Sequence, residues 1–283
     1  MVTEEQVRFF DENGYLRYGP VLSDDEVQTL RAGLDRIIAL ELERGDDTSP
    51  EFRYGHDRRG ETPSESGRGP RAIHQFVNMW KRDPNYENTL HNSKIAGAAR
   101  GLLRSPVVRL WHDQIISKPP RDNQHFRFHQ DFYFWPLDPP NIISCWLALD
   151  DATVENGCMH VIPGSHRDRR LSPEARAREI AEAARIRSDG GVPEKSLRDQ
   201  IAESDVSVAV PVELKAGECM FHHCLNFHAT PENRTDRERR AFVMIFMAQG
   251  VRYNPAQSGG HILVPTIQVE PGEPLVGYGF PVI

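Results

Sequence analysis

The sequence predicts a mainly β fold of the sandwich or barrel kind, preceded by helices. Three observations carry this. Strand-like runs dominate from residue 106 onward, Pro- and Gly-containing turns separate them, and no regular strand–helix alternation runs through them. Size and composition allow such a fold. A chain of 283 residues, 39% hydrophobic and 27% charged, has enough apolar surface to bury a core.

The elements follow in order. Thr3 and Gln6 form a capping-box pair for a first helix, which Asn13-Gly14 should end because glycine supplies a left-handed cap. Residues 15–18 are expected as a short strand. Ser23 with Glu26 is a second capping box, followed by Val27, Leu30, Leu34, Ile37 and Ile38 at helical spacing. Both helices should cover the outside of a sheet. Residues 44–71, with six acids and six arginines and no periodicity, are expected as a long mobile loop acting as a lid. A helix is expected around 91–103. Residues 107–118 form a β-branched, apolar run ended by Pro119-Pro120. Residues 141–149 are apolar on both faces, as in a strand buried on both sides. Residues 206–214 alternate and end at the turn Lys215-Ala216-Gly217-Glu218, and 240–248 form a further long apolar strand. Residues 167–205 carry nine basic and nine acidic residues among alanines, and are expected as a solvated helical insertion and second lid. The chain is thus expected to be one domain over 1–283 with two decorations.

Charge and cysteine usage narrow the function. Lys and Arg total 34 against 41 Asp and Glu, a formal charge of −7, with no basic block. Nucleic-acid binding needs many phosphate-neutralising cations, so no such partner is expected. No uninterrupted apolar run is long enough for a membrane span, and the acidic first residues do not read as a secretion signal. A soluble cytoplasmic protein, monomer or homodimer, is the expectation. Cys145, Cys158, Cys219 and Cys224 form no CxxC and are expected as buried free thiols.

The chemistry centres on His125-Phe-Arg-Phe-His129-Gln130-Asp131. In extended chain, residues two apart share a face, so His129 and Asp131 present an imidazole and a carboxylate to one ion. His228 is the natural third ligand from a distant strand. Two histidines and one carboxylate leave other positions open, the arrangement of non-haem Fe(II) oxygenases. A rival reading is structural zinc on Cys219, His222, His223, Cys224 and His228, five possible ligands within ten residues. Against it, strand geometry would splay neighbouring side chains to opposite faces. A non-catalytic jelly-roll module is the third reading.

With Glu155-Asn-Gly-Cys158, Pro163-Gly-Ser-His166, Gly217-Glu-Cys-Met-Phe-His-His223, His228-Ala-Thr230, Asn233 and Arg239-Arg240-Ala241 in this order, the sequence resembles the phytanoyl-CoA dioxygenase family. This is a family of Fe(II)/2-oxoglutarate-dependent oxygenases. Phe9-Phe-Asp-Glu-Asn-Gly-Tyr15 also looks like the family's opening. The resemblance covers most of the chain; 44–71 and 167–205 are its least family-like parts. It implies a double-stranded β-helix (a jelly roll, cupin-like) holding Fe(II) on His129, Asp131 and His228, with 2-oxoglutarate and O2 as cosubstrates. It further implies Arg239 as the partner of the far carboxylate, with Arg240 as runner-up, and Thr230 as the assisting hydroxyl. Gln114 and Trp146 match positions beside the cosubstrate, though Trp146 also reads as core, and Lys118 and His112 as surface strand-end residues. His223 matches a supporting position; His222 and His160 are left open between pocket and solvent, and His166 reads as structural. Phe132, Phe134 and Trp135 adjoin the metal motif, so at least one should form a pocket wall. Arg71, His74 and Gln75 are candidates to meet a polar substrate, set against solvated surface. The expected reaction is hydroxylation of an unactivated C–H with release of succinate and CO2; desaturation, epoxidation or cyclisation are the alternatives. Halogenases that look like this family replace the carboxylate by Gly or Ala, and Asp131 argues against that outcome.

Overall fold

The computed structural model describes residues 1–44, 52–54, 74–258 and 260–283. The chain enters through α1 (Glu4–Asn13), β1 (Tyr15–Tyr18) and α2 (Asp24–Arg44), passes β2 (Phe52–Tyr54) and β3 (His74–Val77), and adds α3 (Pro84–Leu90) and α4 (Ser93–Leu103). Then follow β4 (Val108–Lys118), β5 (Phe126–His129), β6 (Leu137–Asp138), β7 (Ile142–Ala148) and β8 (Met159–Val161). After α5 (Pro173–Ser188) and α6 (Leu197–Ala202) come β9 (Val210–Val212), β10 (Cys219–His223), β11 (His228–Thr230), β12 (Arg239–Ala248) and β13 (Arg252–Tyr253).

Both expected capping boxes close. The Thr3 hydroxyl accepts from the Gln6 N–H while the Gln6 side chain accepts from the Thr3 N–H, and Gly14 ends α1 at φ 75°. Glu26 likewise accepts from the Ser23 N–H.

Among the described residues the strands form an antiparallel seven-stranded sheet, β1-β10-β7-β12-β4-β3-β2, and a four-stranded sheet, β5-β11-β8-β9. The fold is a double-stranded β-helix. Side-chain alternation sorts the core into layers. On β12, Phe242, Met244 and Phe246 join the helices in one cluster, whereas Ala241, Val243, Ile245 and Met247 fill the space between the sheets. On β7, Cys145 and Leu147 go to the helical layer, and Ile142, Trp146 and Ala148 go inside. Every residue of β7 is buried, as its two-sided apolar pattern requires. All four cysteines are free and buried.

Some expectations change. The helix expected at 91–103 is α4, capped by Asn92, and α3 precedes it. Asp83-Pro84, a cap followed by proline at the first helical position, was the signal for α3. The strand expected over 206–214 begins as a 3-10 turn, because the Asp205 carboxylate captures the Ser207 N–H; Val210–Val212 pairs with β8, and Leu214 forms a single bridge to Ala152. Pro211 suits the sheet edge that β9 occupies. The lid expected at 44–71 falls mostly outside the described residues, but β2 within it pairs with β3, so that stretch is not wholly loop. The insertion at 167–205 is helical as expected but is not a free lid. Leu171, Leu197, Ile201 and Val206 pack on Phe128, Phe227 and Ala229, the outer face of the smaller sheet.

Candidate active site

His129 closes β5 and His228 opens β11, and the two are direct antiparallel partners with ring centroids 4.3 Å apart. Asp131 lies beyond the strand. It reaches the same face because Gln130 stays extended (φ −116°, ψ 123°), carrying the alternation one residue further before a 3-10 turn begins. Strand parity thus holds, although the strand itself ends at His129. The Nε2 atoms of both histidines lie 3.5 Å from Asp131 Oδ1. Among the described residues this is the one group of His, Cys, Asp or Glu side chains placed to share an ion, with donor atoms within 4.8 Å of one another.

The surroundings set each ligand's state. His129 Nδ1 donates to the Arg127 carbonyl at 2.7 Å, and His228 Nδ1 donates to the Asn226 carbonyl at 3.0 Å. With Nδ1–H so engaged, each ring would offer Nε2 to a metal held at the centre. Asp131 Oδ2 accepts from Ser144 Oγ at 3.0 Å and from His222 Nε2 at 3.1 Å. Burial alone would raise the Asp131 carboxyl; the His228 charge and hydrogen bonds from His129, His222 and His228 outweigh it and hold it well below the usual carboxylate range. The aspartate is therefore an anion.

His222, left open by the sequence, is the histidine that steadies the aspartate. His223, expected in the supporting role, points the other way. Its ring lies 5.2 Å from that of His166, and burial lowers its pKa to about 3. His166 is structural, its Nε2 donating to the Asp11 carbonyl of α1. His160 pairs with Ala229, on the face opposite the triad. The zinc reading fails on the same alternation: Cys219 faces the helical layer while Met220 and Cys224 face inward.

Deeper between the sheets, Arg239 is paired in register with Lys118. Its guanidinium is wholly buried, sits 5.3 Å from the Trp146 ring, and has no hydrogen-bond partner at any of its three nitrogens among the described residues. Thr230 Oγ1 is likewise buried and without one. Arg240 faces outward and is held by Asp150 at 2.8 and 3.0 Å. Gln114 and Trp146 are joined through Val243 in one register row, and Gln114 Oε1 accepts from Gln75.

Lys118 and His112, read as surface strand ends, are buried instead. Lys118 Nζ donates to the Gln124 and Pro231 carbonyls, tying the loop before β5 to the end of β11. Phe132 is core, Phe134 is 55% exposed with its edge toward the His129 ring, and Trp135 stands edge-on to His112. The backbone of His74 pairs with Ser117, and Arg71 lies outside the described residues.

A family model described as phytanoyl-CoA dioxygenase (PhyH) matches residues 10–241. The chain belongs to the phytanoyl-CoA dioxygenase family. Curated relatives of this name include the peroxisomal enzyme of Rattus norvegicus, 26% identical over 257 residues, covering 88% of this chain and 69% of the relative. The Arabidopsis thaliana enzyme is 26% identical over 271 residues, covering 85% and 87%. Among solved structures, the non-heme alpha ketoglutarate dependent carbocyclase SnoK superposes with a TM-score of 0.70 at 25% identity, covering 100% of this chain and 96% of that one. The epimerase SnoN, solved with Fe3+ and alpha ketoglutarate, shares the fold at a TM-score of 0.69 and 22% identity, covering 99% and 97%. This phytanoyl-CoA dioxygenase family member is an Fe/2-oxoglutarate-dependent dioxygenase.

Proposed function

We propose that the enzyme hydroxylates an unactivated C–H bond of a small molecule, consuming 2-oxoglutarate and O2 and releasing succinate and CO2. The observation that carries this reading is a wholly buried Arg239, without a hydrogen-bond partner among the described residues, in the same inter-sheet space as the His129–Asp131–His228 triad. A buried guanidinium without a counterion costs several kcal/mol, so the site is built for an anion. A carboxylate matches its planar fork with two parallel hydrogen bonds.

The donor set fits the implied groups. Two imidazole nitrogens and one carboxylate suit ferrous iron and leave other positions open. His129, Asp131 and His228 would hold the metal, while Arg239 and Thr230 would take the far carboxylate of 2-oxoglutarate beside Trp146 and Gln114. Bound together, iron and the ketoacid supply O2 activation and the two-electron oxidation of the substrate. The chain's own residues do the rest. The Arg127 and Asn226 carbonyls fix the histidine tautomers, Ser144 and His222 keep the aspartate oriented and ionised, and the burial of Arg239 excludes water from the carboxylate.

Purified protein given Fe(II), ascorbate and 2-oxoglutarate under air should release succinate, and a coupled substrate should gain the mass of one oxygen. Cyclisation is the second reading, favoured by the whole-length likeness to a carbocyclase. A product lighter by two hydrogens would select cyclisation or desaturation over hydroxylation.

A further inference from the structure

The pairing of β4 with β12 carries one irregularity. Ile245 faces His112 and Phe246 faces Leu110, so Trp111 is an extra residue on β4. Such a bulge re-aims side chains and is frequent beside active sites. Trp111 packs into the inter-sheet core. His112 shares one register row with Ile245, Ser144 and His222. Because Ser144 and His222 hold Asp131, His112 lies at the level of the triad's carboxylate, about 10 Å across two strand spacings from Ser144.

Among the described residues, neither has a hydrogen-bond partner for its inward polar atom. Trp111 is 0% exposed and His112 is 3% exposed, and no described group reaches Trp111 Nε1 or His112 Nε2. His112 Nδ1 donates to the Asp113 carbonyl at 3.2 Å, so Nε2 carries the lone pair. Burial lowers the His112 pKa to about 4, which keeps the ring neutral at neutral pH. A hydrogen-bond donor and an acceptor thus sit side by side, ring centroids 5.8 Å apart. Flat rings frame them: Trp135 stands edge-on to His112 at 6.3 Å, and Phe280 stacks on Trp111 at 5.5 Å. Buried polar atoms left unmatched are costly, so a partner is expected to arrive with the substrate.

We propose that His112 and Trp111 are the substrate-orienting pair, with His112 Nε2 accepting from and Trp111 Nε1 donating to hydroxyl groups of a cyclic, hydroxylated small molecule. This rests on the oxygenase reading and names its substrate class. An unbroken hydrocarbon chain would leave both atoms unpaired, the situation by which polar sites reject apolar analogues.

The test measures succinate release by the Fe(II)-loaded enzyme with matched probes: polycyclic phenols and glycosides, their O-methyl ethers, and phytanoyl-CoA. At least one free-hydroxyl probe should raise succinate release, with its ether about tenfold or more poorer in kcat/KM. His112→Phe should erase that preference through KM, Trp111→Phe should narrow it, and His112→Gln, which restores an acceptor, should recover part of it. Ethers used as well as the parent compounds, preference for the acyl thioester, or no hydroxylated probe exceeding the substrate-free rate would each overturn the proposal. Failure of the oxygenase reading looks different: no succinate at all, with or without a probe.

Discussion

At the scale of single residues, Arg239 and its neighbour show how burial and pairing assign opposite tasks to adjacent identical side chains. Arg240 spends its charge on Asp150, whereas no described side chain hydrogen-bonds the buried charge of Arg239. Replacing buried ion pairs with apolar side chains of similar volume is often neutral or stabilising by about 1–4 kcal/mol, and a buried ion without a hydrogen-bonded partner has less pairing energy to lose. Arg239→Met should therefore raise the Tm of protein free of metal and ketoacid while raising KM for 2-oxoglutarate at least about a hundredfold. Added ketoacid should lift the Tm of the parent and not of the variant. Arg239→Lys should recover little, because a point charge lacks the fork. Ser144→Ala removes a hydrogen bond that orients the aspartate, and Fe(II) affinity in anaerobic titration should fall about 10–100-fold. The sequence placed Arg239 and Arg240 at the start of a strand, and the family resemblance favoured Arg239, yet strand parity alone could not choose between them, since the phase of alternation depends on which face the sheet turns inward. The same ambiguity hid His222 behind His223.

At the scale of elements, the helical insertion is a brace. Its charge-rich composition resembles a solvated arm, but α6 lays Leu197 and Ile201 on the back of β5 and β11, the strands that carry both histidines. From α6, Arg198 reaches Gln130, the residue between His129 and Asp131, at 3.3 Å, and the Tyr133 hydroxyl at 3.1 Å. Its remaining bonds go to Glu179 and to the Leu171 and Ser172 carbonyls. Gln130 in turn donates to the Leu225 carbonyl ahead of β11. Arg198→Met should thus loosen the metal loop and weaken Fe(II) retention about tenfold, measured by dialysis against a chelator. An unchanged off-rate would mean that the brace and the metal loop are independent. This contact was illegible in the sequence because nothing in a local pattern links residue 198 to residue 130.

At the scale of the whole molecule, the fold buries neutral histidines on both sides of its sheets. Burial lowers the pKa of His112 to about 4 and of His223 to about 3, and lowers those of His160 and His166. Between those values and about 6.5 the unfolded chain binds protons that the folded chain refuses, so stability is full above pH 6.5 and is lost as pH falls. Each of the two most displaced rings should cost roughly 3 kcal/mol by pH 4. Thermal unfolding followed from pH 7 to 4 should show the decline, and His223→Gln should make it shallower. The β-rich architecture, the capped N-terminal helices and the convergence of His129, Asp131 and His228 were readable in advance, because alternation, capping chemistry and donor type are local or nearly so. The inward pairing of Lys118 with Arg239, the bulge at Trp111 and the seating of the insertion depend on register between distant strands, which local patterns do not encode. The central claim, that three distant side chains share one ferrous ion at a site for 2-oxoglutarate, is tested most directly by metal content and ketoacid turnover together. The parent protein should bind one Fe(II) per chain and convert 2-oxoglutarate to succinate under air, and Asp131→Ala should lose both. Full iron binding and undiminished succinate release in that variant would contradict the account.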